Sequence, residues 1–170
     1  MTDPATAADR RGIVTREADG RQRLEFHRTW PDPVEDVWSA LTAPERLPRW
    51  IGTYEGERRP GAIGTFTMTH EPGEPTGQAM RIVECDPPRR LVVEVVDQAD
   101  WRFEVDLLEA DGRTELVFRQ WFAAEADVVD FAGGWHWYLD KLDAELTGAA
   151  GPGEWEPFWA EVEPGYRGTP

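Results

Sequence analysis

EADVVDFAGGWHWYLDKLDAEL, running from Glu125 to Leu146, is the stretch around which the rest of the chain reads as a fold. On a helix of 3.6 residues per turn, Val128, Phe131, Ala132, Trp135, Tyr138, Leu139, Leu142 and Leu146 fall on one stripe. Asp130, Asp140, Lys141 and Asp143 fall on the opposite arc, which suits water. Gly133 and Gly134 interrupt the pattern, each costing roughly 1 kcal/mol relative to alanine inside a helix. Either the regular helix begins near them, or small residues let another surface approach closely.

Nearly everything before this helix reads as strand. Ile13–Arg16 and 21–28 flank Asp19-Gly20, a dipeptide suited to a tight hairpin turn. From Gly52 to Phe122, apolar and polar residues alternate with period two. Gly64, Phe66, Met68 and His70 share a face. So do Trp101, Phe103, Val105 and Leu107, and again Leu116, Phe118, Gln120 and Phe122. Short connections between these runs imply an antiparallel meander. Two helix starts lie between the first strands and the meander. Asp32 is placed to cap a helix opening at Pro33, with Glu35 where a capping box wants an acid. Thr42, Pro44 and Glu45 repeat the signature, predicting a second short helix through Leu47 and Trp50. Beyond Gly148, the tail carries Trp155, Phe158, Trp159 and Tyr166, too aromatic for a solvated end, and is expected to dock back with Trp137 as a contact.

Bulk composition narrows the function classes. At 170 residues with 40% hydrophobic content, one domain can hold a sizeable core. The nine tryptophans suit either core filling or the walls of an apolar cavity. A net charge of −15 argues against nucleic-acid binding, since a phosphate backbone would be repelled. Cys85 is the only cysteine, so no intrachain disulfide can form, and a reducing, cytoplasmic location is expected. No run approaches the ~20 apolar residues of a membrane span. His27, His70 and His136 lack metal-ligand spacing, and no nucleotide fingerprint is present, so neither metal nor cofactor is expected.

Three segments carry a family resemblance: Phe26–Trp50 (FHRTWPDPVEDVWSALTAPERLPRW), Glu84–Leu91 (ECDPPRRL) and Gly134–Leu142 (GWHWYLDKL). In these the chain resembles the SRPBCC (START-like) superfamily, and within it the branch related to the C-terminal domain of the activator of the 90-kilodalton heat-shock chaperone ATPase. Ile51 departs from the pattern, standing where a second aromatic often follows Trp50. The resemblance implies an α+β helix-grip fold: a curved antiparallel sheet wrapped around a long C-terminal helix, with two short helices after the first strand. The expected layout is a disordered lead-in at 1–11, a START-like domain over 12–148 and an aromatic tail at 149–170 docking on it.

The implied function is non-catalytic binding of a small apolar or aromatic molecule between sheet and helix, as a carrier or sensor. A polyketide cyclase or aromatase-like enzyme is one alternative. A protein-interaction module, with a protein partner or a homodimer, is another. The candidate ligand-binding residues are Trp38, Trp50, Phe66, Met68, His70, Met80, Trp101, Phe103, Gln120, Phe122, Trp135, Tyr138 and Leu139. No residue is assigned a catalytic role. His70 is either a strand-end histidine with a backbone or water partner, or a cavity group able to act as a base. Gln120, on an apolar face, must either find partners in Tyr138 or backbone or recognise a ligand, because an unpaired buried amide costs ~1–3 kcal/mol. Tyr138 is either core or a ligand hydrogen bond. The aromatic positions are divided between plain core packing and cavity wall.

Overall fold

A computed structural model describes residues 10–98 and 100–168. Its strands are β1 (Ile13–Arg16), β2 (Gln22–Trp30), β3 (Gly52–Glu55), β4 (Ile63–Met68), β5 (Gly77–Asp86), β6 (Arg90–Val95), β7 (Arg102–Ala110) and β8 (Arg113–Phe122). Its helices are α1 (Val34–Thr42), α2 (Val129–Thr147) and α3 (Trp155–Arg167). All eight strands form one antiparallel sheet in the order β1-β2-β8-β7-β6-β5-β4-β3. The meander from β3 to β8 follows chain order, and β2 then pairs with β8, setting Leu24 opposite Gln120 and Phe26 opposite Phe118. A register shift between Ile82 and Glu84 marks an irregularity in β5, the kind of feature that bends a strand and curves its sheet. The sheet grips α2, and the protein has the α+β helix-grip fold.

Helix α2 is buried on two sides. Toward the sheet, Trp135 packs its ring 4.4 Å from Phe118 and 4.8 Å from Phe103, and Leu139 and Leu142 extend the contact. A side chain of this size contributes roughly 1.5–3 kcal/mol when fully buried. On the other side lies α3, whose Phe158 and Val162 join the same core. Trp155 sits 5.8 Å from Trp137 and stacks on Trp159 at 5.3 Å. Gly133 belongs to this contact, because a Cβ there would stand 2.1 Å from Trp159 Cζ3. At Gly134 a Cβ would meet nothing within 4 Å. The helix therefore begins before both glycines, and only one of them is required for close approach. Gly148 ends α2 at φ 73°, the left-handed cap that glycine adopts without strain.

On the polar arc of α2, Asp130 is exposed as expected, but Asp140 and Asp143 are largely covered. His136 is fully buried, with Nδ1 3.1 Å from the Tyr166 hydroxyl of α3 and Nε2 3.5 Å from Asp140. Asp140 pairs with the buried Arg28 of β2 at 3.2 Å and with Arg10 at 3.1 Å. Asp143 accepts the Trp30 indole N–H at 2.8 Å and pairs with Arg10 at 3.5 Å. The Tyr166 hydroxyl also accepts the Gly12 amide at 2.9 Å. These acids lie beneath the start of the described chain and the tail helix, which charge pairing permits and water-facing charge would not explain. The lead-in expected at 1–11 lies, for residues 1–9, outside the described residues; Arg10 is held by these pairs.

Both helix-start readings are corrected. No side chain caps α1 locally. Instead, the Val34 amide donates to the Glu109 carboxylate of β7 at 2.9 Å, and the Asp32 carbonyl accepts from Thr114. The second signature yields only a 3-10 turn over Leu47–Arg49, while the Thr42 hydroxyl bonds back to the Trp38 carbonyl. Pro44 and Pro48 lie close together there, and a second proline denies the segment the regular amide ladder of a longer helix.

Candidate functional site

The curved sheet and α2 part company at one end, leaving a cavity of about 330 Å³. Its inner wall is α2, through Trp135 and Leu139. The sheet contributes Phe66 from β4, Met80 and Ile82 from β5, Leu91 and Val93 from β6, Phe103 and Val105 from β7, and Leu116 and Phe118 from β8. Residues two apart on a strand share a face, which is why those from β5 to β8 come in pairs. The side facing out is closed by α1 and the 3-10 turn, through Trp38, Leu41, Thr42, Leu47, Trp50 and Ile51. The Trp50 indole is locked there by donating to the Ala40 carbonyl at 2.8 Å. Tyr54, Arg58, Cys85 and Pro87 complete the lining. The Cys85 thiol is pushed up from its ordinary pKa, chiefly by burial and also by Asp86, so it stays protonated near neutrality. The Tyr54 hydroxyl is raised as well, again mainly by burial.

Seven of the residues expected from the sequence meet around this space: Trp38, Trp50, Phe66, Met80, Phe103, Trp135 and Leu139. The other six stand elsewhere. His70 follows the end of β4, and its Nε2 lies 2.9 Å from the Pro48 carbonyl, a backbone partner outside the cavity. Gln120 is fully buried and fully engaged: Nε2 donates to the Asp100 carbonyl, and Oε1 accepts the Trp135 indole N–H at 2.8 Å. Tyr138 donates its hydroxyl to Glu71, and burial together with that carboxylate drives its pKa far upward. Phe122 and Trp101 close on Phe131 at 4.9 and 5.5 Å, filling the opposite end of the grip. Met68 faces a smaller, more polar hollow of about 170 Å³ with Phe66 and the turn Glu71–Pro75.

The lining residues that the candidate set omitted were partly legible. Val105, Leu116 and Phe118 lie on faces already identified as apolar by alternation, and Ile82 follows from Met80 two residues earlier. Arg58, Cys85 and Pro87 come from loops and a strand end, where no periodicity operates. Among the described residues, no group of three His, Cys, Asp or Glu side chains is placed to hold a metal ion.

A curved antiparallel sheet closed on a long helix, hollow at one end, defines a START-like helix-grip protein. Residues 31–147 match the family model described as "Activator of Hsp90 ATPase homolog 1-like protein", and the chain belongs to that family. A search of curated proteins finds no match. Among solved structures, the chain is similar to the protein encoded by BPP1335 of Bordetella parapertussis, at 28% identity and a TM-score of 0.74, covering 100% of this chain and 96% of that one. It is similar to CalU16 of Micromonospora echinospora, at 26% identity and a TM-score of 0.69, covering 91% and 92% respectively. EF2215 of Enterococcus faecalis, described as a conserved protein of unknown function, shares the fold at 19% identity, with a TM-score of 0.68 and coverage of 91% and 87%.

Proposed function

We propose that the protein binds a small, largely apolar molecule in the cavity between β4–β8 and α2, as a carrier or sensor in the cytoplasm. The observation that carries this reading is the hollow itself, about 330 Å³ and walled by aromatic and aliphatic side chains. That size and lining are typical of a small-molecule site, whereas a packed interior holds few voids larger than a water molecule. A cyclase or aromatase would need polar side chains converging within hydrogen-bond reach inside the same space. Of the groups available for that chemistry, His70 and Tyr138 bond to protein partners outside it, and Gln120 is spent on the Asp100 carbonyl and the Trp135 indole, which favours carriage over catalysis. The free Cys85 thiol is compatible with a reducing compartment.

Native mass spectrometry of the purified protein should reveal a co-purified small molecule, or uptake of one from an apolar panel. Val93→Trp, which fills the cavity from β6, should abolish that uptake. Unchanged uptake by the filled variant would overturn the reading. The family description supports a second possibility, contact with a chaperone ATPase. Stimulation of such an ATPase that survives Val93→Trp would assign that activity to the outer surface and separate it from the cavity.

A further inference from the structure

The lining of the cavity is chemically lopsided, and on the reading just proposed this asymmetry specifies the guest. Among the described residues, Arg58 is the one charged side chain that lines it, and no carboxylate does. The remaining polar groups are neutral and largely occupied. The Thr42 hydroxyl donates to the Trp38 carbonyl at 2.8 Å, and the Tyr54 hydroxyl donates to the Glu57 carbonyl at 2.9 Å. Arg58 lies on the loop between β3 and β4, exposed on its outer side, so it stands at the rim rather than the floor. Its Nη1 donates to the Thr42 carbonyl at the end of α1, which anchors the guanidinium beside the opening.

Among the described residues Arg58 has no counter-charge, a state it shares with Arg16, Arg89 and Arg113, and of these four it alone lines the cavity. The chain carries 33 acidic residues against 18 basic ones, and its arginines are generally paired. Arg90 meets Glu84, Glu104 and Asp106, Arg46 meets Asp36 and Glu145, and even the neighbouring Arg59 pairs with Glu57. Among the described residues, Arg58 belongs to no ion pair, and its one hydrogen bond uses a single arm of a five-donor fork. A guanidinium in that state is suited to a carboxylate or sulfonate, which it can hold by two parallel bonds. At a distance, the net charge of −15 repels any anion, so one that enters must be met locally.

We infer that the cavity takes amphipathic organic anions, with a ring-containing apolar body between Trp38, Phe103 and Trp135 and a single acid group at Arg58. Two fluorescent probes with nearly the same apolar body test this: 1-anilinonaphthalene-8-sulfonate, which carries an acid group, and N-phenyl-1-naphthylamine, which does not. Both should bind the wild-type protein, and Val93→Trp should weaken both. Arg58→Gln should weaken the sulfonate about tenfold and leave the neutral probe within about twofold, which also shows that the variant is folded. Arg58→Lys should restore part of the loss, and added salt should weaken only the sulfonate. Equal losses for the two probes, or none for the sulfonate, would overturn the assignment of Arg58 while leaving the cavity reading intact. If neither probe binds the wild-type protein, the cavity reading falls with it.

Discussion

Acidification from about pH 7.5 to about pH 5 should cost the folded protein about 2 kcal/mol through one side chain, His136. Its ring is fully buried, and burial first, then the positive charges of Arg28, Arg10 and Arg11, lower its pKa from 6.5 to about 3. A base that is harder to protonate when folded leaves the unfolded chain holding more protons below its ordinary pKa. Stability is therefore present above pH 6.5 and is lost progressively as the pH falls toward about 3. Near pH 5 the unfolded imidazole is almost wholly charged and the folded one almost wholly neutral, which gives the figure above. Two other groups that act with the opposite sign have to be separated from it. Burial raises the Asp140 carboxyl, and Glu115 and Glu25 raise His27 against its own desolvation, so both favour the folded state as the pH drops. They persist in His136→Gln, which retains hydrogen-bonding capacity toward Tyr166 but does not titrate. Urea unfolding at the two pH values should give the wild-type protein about 2 kcal/mol more acid loss than the variant. Equal losses in both proteins would refute the assignment to His136.

The two glycines of α2 should respond in opposite directions. Gly133→Ala drives a methyl into the Trp159 ring and should cost about 1–3 kcal/mol, with the tail helix loosened in hydrogen exchange. Gly134→Ala meets open space and should gain up to about 1 kcal/mol in thermal or urea unfolding. Gln120→Leu leaves the Trp135 indole N–H without its acceptor, so it should destabilise by about 1–3 kcal/mol and alter the tryptophan fluorescence. Val93→Trp should keep its melting temperature within a few degrees, since its indole enters a void; a loss of several kcal/mol would mean that the space is smaller than about 330 Å³.

The fold was legible because its two periods are clean. Leu116, Phe118 and Phe122 alternate as a half-buried strand must, and Trp135, Leu139 and Leu142 recur as a buried helix face must. The family motifs fixed their order in space. What failed was local reading of ends. Asp32 had the right chemistry for a cap, but Glu109, 75 residues away in sequence from Val34, supplies it. Asp140 looked solvated because its helical position opposes the main stripe, and only the docking of α3 and the pairing with Arg28 show why it is covered. The tail helix was hidden by Pro157, Pro164 and Gly165, although Trp155, Phe158, Trp159, Val162 and Tyr166 recur at helical spacing. For the site, period two identified the inward faces without saying which end of them is hollow. Phe103 and Trp135 border the cavity, while Trp101 and Phe122 on the same faces fill the solid end against Phe131.

Because α3 braces α2 from behind, the helix that forms the inner wall has no free side on which to swing. On the proposed function, a guest would enter past the α1–Trp50 segment and the Arg58 loop, which line the outward side of the cavity, and those parts would set the rate at which it opens. The backbone amides of α2 should exchange slowest in the protein, and those from Val37 to Arg59 measurably faster. An occupied cavity should slow the second group alone. On the proposed function, such a site would work as a vessel with one lid, in which residence time is tuned at Trp38, Trp50 and Arg58 and the grip on the helix stays constant.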